Sequence, residues 1–397
     1  MLPESEHRVA RFVQLAGMIM PPVYSQSAID HEALSGVPLA MASSDTLKTA
    51  TNTDIANICG LQYTVYSDLK GLEDVYRQWN QLVLSSCCNR AFASAEWYVA
   101  SCMKQETWTP YLVTAARDGK LMCVLPLVID KTDGTALFPH YGAGADYHDA
   151  IACNDSPTVV AASLKYALSF PGQCRRIVLS RLRPDSHCVK AVPCIQQDSD
   201  IQWDQRVTNM YPHITLPTSF DEYLASRSKA FRKNIRRILR NIQKDGLKIQ
   251  ELRPGEFNPD DLPDLLTRMS VARTKEKSSF VRNAFIGSFL SAVLPAIFRR
   301  GHLRAFAIFN HGQIIALDLC MLCANGFVTW NGGFLAEGAS WCPGSALFAH
   351  GIQEAIEMGL GEYDFTRGNE GYKASWATGS YPVSEIELTW RAPHASR

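Results

Sequence analysis

Apolar positions switch along the chain between a spacing of two and a spacing of three to four, and the switches predict strands and helices from residue 63 onward. The pattern gives a strand at 63–66, an amphipathic helix at 72–84 and a second helix at 95–103. Strands follow at 110–116 and 121–129, joined by the hairpin turn Arg117-Asp118-Gly119-Lys120. After residues 136–139 and a loop through Gly142 and Gly144 come a strand at 149–152, a helix at 157–169 and a strand at 176–180.

The same order then recurs. Helical patterns at 220–244 and 262–273 precede strands at 303–309 and 313–322 around the turn Asn310-His311-Gly312-Gln313, a strand at 327–332, a helix at 345–358 and a strand at 362–365. Helices, an antiparallel meander and a strand-helix-strand crossover, each occurring twice, imply an α/β protein built by tandem duplication of one unit, with a mixed sheet in each half. The expected division is an N-terminal extension at 1–58 without sustained periodicity and partly disordered, a first domain at 59–214 and a second at 215–397.

At 397 residues and 46% hydrophobic content the chain can bury two ordinary cores. Lys plus Arg and Asp plus Glu stand at 39 each, so a site for a polyanion has to be local, and the balance argues against DNA as a partner. Twelve cysteines without a repeating spacing fit reduced thiols in a cytosol; the apolar patch at 13–20 is broken by charge and too short to span a membrane. Cys320 and Cys323 lie on a strand pattern that sends them to opposite faces, which fits buried structural cysteines better than zinc ligands, and no metal is expected.

The segment Asp364 to Trp376 reads Asp-Phe-Thr-Arg-Gly-Asn-Glu-Gly-Tyr-Lys-Ala-Ser-Trp and carries the densest chemistry. A strand end delivers Arg367, glycines flank a polar turn, and Tyr372, Lys373 and Trp376 follow at the spacing of one helical turn. Such a segment binds something anionic or closes a sheet. Residues 227–244 hold eight basic residues and no acid, with Phe231, Ile235, Ile238 and Ile242 on one helical face. The opposite face, including Arg232 and Arg236, is either a solvated surface or a contact for phosphate: a nucleotide carrier, a transfer RNA acceptor stem, a carrier protein or, peripherally, anionic lipid. Asp318 sits in the apolar run Ala-Leu-Asp-Leu-Cys, where a carboxylate is costly unless it is hydrogen-bonded or serves as a base or amine anchor.

This grammar resembles the GNAT N-acetyltransferase superfamily in its tandem form, and within it the cellulose-biosynthesis-type (CelD/BcsL-like) acetyltransferases, relatives of the FemAB aminoacyl transferases. The resemblance spans roughly residues 60–390. Four motifs carry it: Phe92, Ser94 and Trp97; Gly142, Asp146, Tyr147 and Asp149; the basic run Phe231 to Arg237; and the ending Asp364 to Trp376. It implies two tandem GNAT-like domains, each a mixed, mostly antiparallel sheet flanked by helices, and a cytoplasmic acyltransferase that uses acyl-CoA as co-substrate.

A coenzyme A thioester presents a pyrophosphate, which a helix N-terminus with free amides can hold; Gly344 and a capping Ser345 supply such a start. Trp341 stands where the superfamily usually has a basic residue in this loop. Asn331 and Gly332 fit a strand that bulges or lies close to the thioester and polarises its carbonyl. Asp318 is then the expected base and Tyr372 the acid for the departing thiolate, while Arg367 and Lys373 fix an anionic group. The loop Asp146, Tyr147, His148 and Asp149 reaches the cleft between halves, and with Arg232, Arg236 and Trp376 forms the expected substrate surface. The acceptor is an amine on a small molecule, peptide or saccharide, and the acyl group arrives on coenzyme A or an acyl carrier protein. Two alternatives remain: aminoacyl transfer from transfer RNA, and a non-catalytic accessory role in exopolysaccharide biosynthesis.

Overall fold

The structure, a computed structural model, describes residues 53–58, 60–86, 90–104, 106–139, 144–153, 156–170, 174, 176–274, 284–368 and 371–391. The first half runs β1 (Thr53–Ile58), β2 (Leu61–Tyr66), α1 (Leu72–Ser85), α2 (Ala95–Lys104), β3 (Trp108–Arg117), β4 (Lys120–Asp130), β5 (Ala136–Leu137), β6 (Ile151–Ala152), α3 (Pro157–Ser169), β7 (Arg176–Leu182), α4 (His187–Ile195) and β8 (Ile201–Thr215). The second half runs α5 (Phe220–Ser226), α6 (Lys229–Lys244), β9 (Lys248–Leu252), α7 (Leu262–Thr274), α8 (Ala284–Arg299), β10 (Leu303–Asn310), β11 (Gln313–Cys323), β12 (Gly326–Phe334), α9 (Pro343–Glu357), β13 (Glu362–Asp364), α10 (Gly371–Trp376) and β14 (Gly379–Trp390).

The two central hairpins show why the halves look alike. Asp118 and Gly119 at the first turn have φ of 50° and 75°, and His311 and Gly312 at the second have 46° and 81°. Positive φ at both central positions matches the right-handed twist of the flanking strands, so both turns close tight antiparallel pairs, β3 with β4 and β10 with β11. All fourteen strands join one mixed sheet in the order β1-β2-β3-β4-β5-β7-β14-β8-β13-β12-β11-β10-β9, with β6 beside β4. Two pairings are parallel, β5 with β7 and β12 with β13.

The two halves trade strands at the centre of this sheet. β14, the last strand of the chain, pairs with β7 of the first half, and β8, from the end of the first half, pairs with β13 of the second. β14 and β8 also pair with each other, from Gly379↔His213 to Trp390↔Ile201.

Four apolar clusters hold the layers. In the first half, α3 and α4 cover one sheet face through Leu164, Ala191 and Val192. α1 and α2 cover the other through Trp79, Tyr98 and Val99. In the second half, α6 and α9 pack on one face through Ile235, Ile238, Leu347 and Ile352. The remaining cluster joins the halves: Phe92, Trp97 and Tyr147 pack with Leu266, Phe289, Leu317 and Val328.

The pattern at 220–244 forms two helices rather than one. Arg227 is extended at φ −94°, ψ 165°, and Ser228 caps α6 by accepting from the Phe231 amide at 3.2 Å. α6 stops at Asp245, where Gly246 in the left-handed region lets the Leu247 amide reach the Ile242 carbonyl. β1 lies inside the stretch without periodicity, and α4, β8 and β14 carry no clear pattern in the sequence. Cys320 and Cys323 do point to opposite faces, the first into the layer under α9 and the second toward the layer between the halves. The adjacent pair Cys87 and Cys88 and the loop residue Gly142 lie outside the described residues.

Candidate active site

β12 and β13 run side by side over only three pairs, Gly326↔Glu362, Phe327↔Tyr363 and Val328↔Asp364. Beyond them β12 continues to Phe334 along β11, whereas the Phe365 amide turns to the Pro212 carbonyl at 3.0 Å. Past Val328 the outer edge of β12 has no pairing from β13. A bulge at Trp330, where Cys320 pairs with Thr329 and Leu319 with Asn331, turns the indole toward the first half. There its Nε1 donates to the Gly144 carbonyl at 2.8 Å, and its ring meets Trp97 edge-on at 5.9 Å.

Asn331 and Gly332 follow this bulge on the parted strand, both half-buried. The close approach at the glycines is made by protein. A Cβ at Gly332 would lie 2.4 Å from the Leu317 carbonyl oxygen, and one at Gly333 the same distance from that of Met269 on α7. These glycines let β12 pack against β11 and α7, a different reason from the expected approach of a ligand.

α9 opens at Pro343, not at Ser345. Its cap is Cys342, held at φ 52°, ψ 53°, and no side chain caps it; the Ser345 and Ala346 amides both close on the Cys342 carbonyl, at 3.0 and 3.2 Å. Ser345 therefore sits inside the first turn, and its expected capping role falls away. A Cβ at Gly344 would meet nothing within 4 Å, so the first turn has open space at that position. Trp341 is anchored by Nε1 to Asp245 Oδ2 at 2.8 Å, which ties the approach to α9 to the end of the basic helix.

The segment after β13 is folded tightly. Thr366 is buried with φ 56°, a strained position for a β-branched residue, and its amide donates to Asp364 Oδ1 at 2.6 Å. This bend sends Arg367 across to the first half, where its Nε lies 2.9 Å from Asp146 Oδ1. On α10, Lys373 is buried and donates to the Arg367 carbonyl, so it braces this loop from behind. Trp376 is core, edge-on to Phe231 at 4.9 Å and to Phe348 at 5.8 Å. Tyr372 stacks on Phe348 at 6.0 Å and remains 47% exposed.

The loop 144–149 meets the second half at several points. Tyr147 donates to Asp364 Oδ2 at 2.6 Å, and Arg183 Nη1 reaches the same oxygen at 3.0 Å, Glu362 Oε1 at 2.7 Å and the Tyr381 hydroxyl at 2.9 Å. Burial pushes Asp364 up from the usual carboxylate range while the Arg183 guanidinium pulls against it. Burial likewise pushes Asp146 up to about 6, against the pull of Arg367 and Arg181. Asp149 plays a structural part, accepting from the His187 and Cys188 amides at 2.8 and 3.0 Å and so holding the start of α4. His148 stacks on Phe138 and lines a cavity of about 140 Å³ between the halves, together with Phe92, Tyr147, Arg183, Asn325 and Glu362.

Asp318 corrects the sequence reading most sharply. It lies under α9 at 6% exposure, accepting from Thr329 Oγ1 at 3.0 Å, Cys320 Sγ at 3.4 Å and the Tyr363 hydroxyl at 3.5 Å. Burial pushes it up to about 6, with those three donors opposing. This enclosed acid does not line the cavity between the halves. Arg232 turns to local partners: its Nη1 donates to the Ala225 and Arg227 carbonyls at the end of α5. Arg236 stays exposed, 3.3 Å from exposed Asp221. The outward cations of α6 are Lys229, Lys233, Arg236, Arg237, Arg240 and Lys244.

Sequence reasoning missed Arg181, Arg183, Glu362, Tyr211 and Tyr381. The one available signal was the pair Arg181 and Arg183 at the end of β7, with Arg181 held at φ 59° and donating to the Ala145 carbonyl. Among the described residues no cluster of His, Cys, Asp and Glu could hold a metal ion, and no helix is long and apolar enough to cross a membrane.

With this geometry in place, residues 229–374 match the family model described as an acetyltransferase (GNAT) domain. The fold is similar to the crystal structure of FemX, with a TM-score of 0.54 at 12% identity over 79% of this chain and 95% of FemX. A C-terminal domain of a putative lysylphosphatidylglycerol synthetase from Agrobacterium fabrum aligns with a TM-score of 0.49 at 13% identity, covering 79% of this chain and 91% of that one. A tandem GNAT protein from the clavulanic acid biosynthesis pathway aligns with a TM-score of 0.39 at 11% identity, covering 84% and 99%. No curated protein matches the sequence. The fold is a mixed, mostly antiparallel sheet flanked by helices, with a GNAT domain matched at 229–374 and an architecture shared with FemX.

Proposed function

We propose that the protein moves an acyl group from an acyl-CoA thioester to an amine, by direct transfer within a ternary complex. The observation that carries this reading is the parting of β12 and β13 after Val328 and Asp364, close to an α9 first turn with room at Gly344. The positive end of the helix dipole at that turn attracts phosphate, and the outer edge of β12 at Asn331 and Gly332 offers backbone groups to a thioester arm and its carbonyl.

Asp146 is the better base than Asp318. It sits between the halves beside Arg367, and a carboxyl near 6 is largely ionised at neutral pH, ready to take the proton that the amine nitrogen sheds as it attacks. The amine forms a bond to the thioester carbon, the tetrahedral intermediate expels the thiolate, and exposed Tyr372 returns a proton to sulfur. Arg367 fixes an anionic group of donor or acceptor and holds Asp146 in place.

The test is a thermal-shift titration with acyl-CoA esters of several chain lengths, followed by thiol release with amine acceptors. A concentration-dependent rise in Tm is expected; no shift with any ester would overturn the reading and favour a non-catalytic role. The outward cations of α6, packed beside α9, favour one second reading, aminoacyl transfer from transfer RNA, which ribonuclease sensitivity of the activity would reveal.

A further inference from the structure

β8 has an open edge. Among the described residues β14 pairs with it from Ile201 to His213, but β13 covers its other side only at His213, Ile214 and Thr215. All nine residues from Gln202 to Met210 are exposed, among them Trp203 at 36%, Val207 at 61% and Met210 at 54%. Natural sheets blunt such an edge with lysine, proline, short length or a bulge. This stretch has no lysine or proline, and its one irregularity is a bulge at Thr208.

The charges on the strand are also left unbalanced. Asp204 stands opposite Glu387 of β14, and Glu387 is already engaged by Arg176 at 2.7 Å. Arg206 stands opposite Glu385 and bonds to it through Nε at 3.1 Å. No ion pair to Asp204 occurs among the described residues, and the cation that feels its charge, Arg206, is bonded to Glu385.

We propose that this edge pairs with the same edge of a second copy of the chain, antiparallel, about a two-fold axis at Gln205. In an antiparallel pair, residues directly opposite share the same hydrogen-bonding phase, which alternates along a strand, so a two-fold axis falls on a residue and not between residues. An axis at Asp204 sets Asp204 against its own copy, and an axis at Arg206 does the same with Arg206; like charges in that position repel. An axis at Trp203 or Val207 leaves Asp204 without a cation. The axis at Gln205 sets Asp204 against Arg206 of the second copy twice and Trp203 against Val207 twice, an opposite-charge pair and an aromatic with a β-branched partner.

The experiment uses the full chain with Asp204→Arg, Arg206→Asp and the double variant, with molar mass read by light scattering across a concentration series. Circular dichroism melts verify that each variant folds. The parent is expected to be dimeric. Each single change replaces two attractive pairs by two repulsive ones and weakens self-association on the order of tenfold or more. The double variant restores it. An equimolar mixture of the two single variants associates, because the two arginines on the edge of one copy then face the two aspartates on the edge of the other. A monomeric parent overturns the proposal, including the case in which hydrogen exchange shows residues 202–210 protected within the monomer. A dimer insensitive to all three variants also overturns it, by placing the interface elsewhere.

Discussion

Replacing Gly344 by Asp separates donor binding from stability. A Cβ at this position would meet nothing within 4 Å, and the backbone is not in the left-handed region, so a side chain can start here without strain. It enters the first turn of a 15-residue helix, where an acid is favourable by about 0.3–1 kcal/mol. The ligand-free variant should therefore melt no lower than the parent, and about 1–3 °C higher. Toward a bound pyrophosphate the sign reverses: at about 5 Å and an effective dielectric between 20 and 80, each unit of charge repels by about 1–3 kcal/mol. That weakens acyl-CoA at least tenfold, and a hundredfold is within reach. A thermal-shift titration of parent and variant measures both effects. Transfer from a short thioester that lacks phosphate serves as the control and should be unchanged. If G344D binds acyl-CoA as the parent does, the pyrophosphate does not sit at this turn and the donor site lies elsewhere.

Asp146→Asn should lower the transfer rate by about 10²–10⁴ as the base is lost, whereas Asp318→Asn should leave it nearly unchanged; the reverse ranking would return the base to β11. Both carboxyls are raised by burial from 3.8 to about 6, so the folded chain keeps protons that the unfolded chain has lost. Their cost to stability is absent below the unfolded value, grows as pH rises from about 4 to 6 and is complete above that, on the order of 3 kcal/mol for each. Urea melts over this window should show stability falling with pH, and Asp318→Asn should remove part of the fall. Tyr147→Phe removes a 2.6 Å bond to buried Asp364 and should cost about 1–3 kcal/mol, read as a lower denaturation midpoint with an unchanged slope.

Elements with one buried face were legible in the sequence. α3 fills residues 157–169 as its spacing predicts, and α6 keeps Ile235, Ile238 and Ile242 on one side. β8 could not be found this way, because a strand exposed on both faces from Gln202 to Met210 has no apolar alternation to show. α4 was hidden by Pro193 inside it. The site divides along the same line. Asp146, Tyr147, Asp364 and Arg367 stood in recognisable local runs. Arg183, Glu362 and Tyr381 did not, because their meeting depends on strands from distant parts of the chain becoming neighbours at the middle of the sheet. Asp318 was read correctly as a buried acid, but burial alone could not say which side of the strand it occupied.

The trading of β8 and β14 limits how the molecule can move. A hinged jaw could part only at the three pairs between β8 and β13, and would carry β14 away with the first half through its pairs with β7 and β8. Neither lobe expressed alone should fold, since each would lack the strand that finishes its sheet.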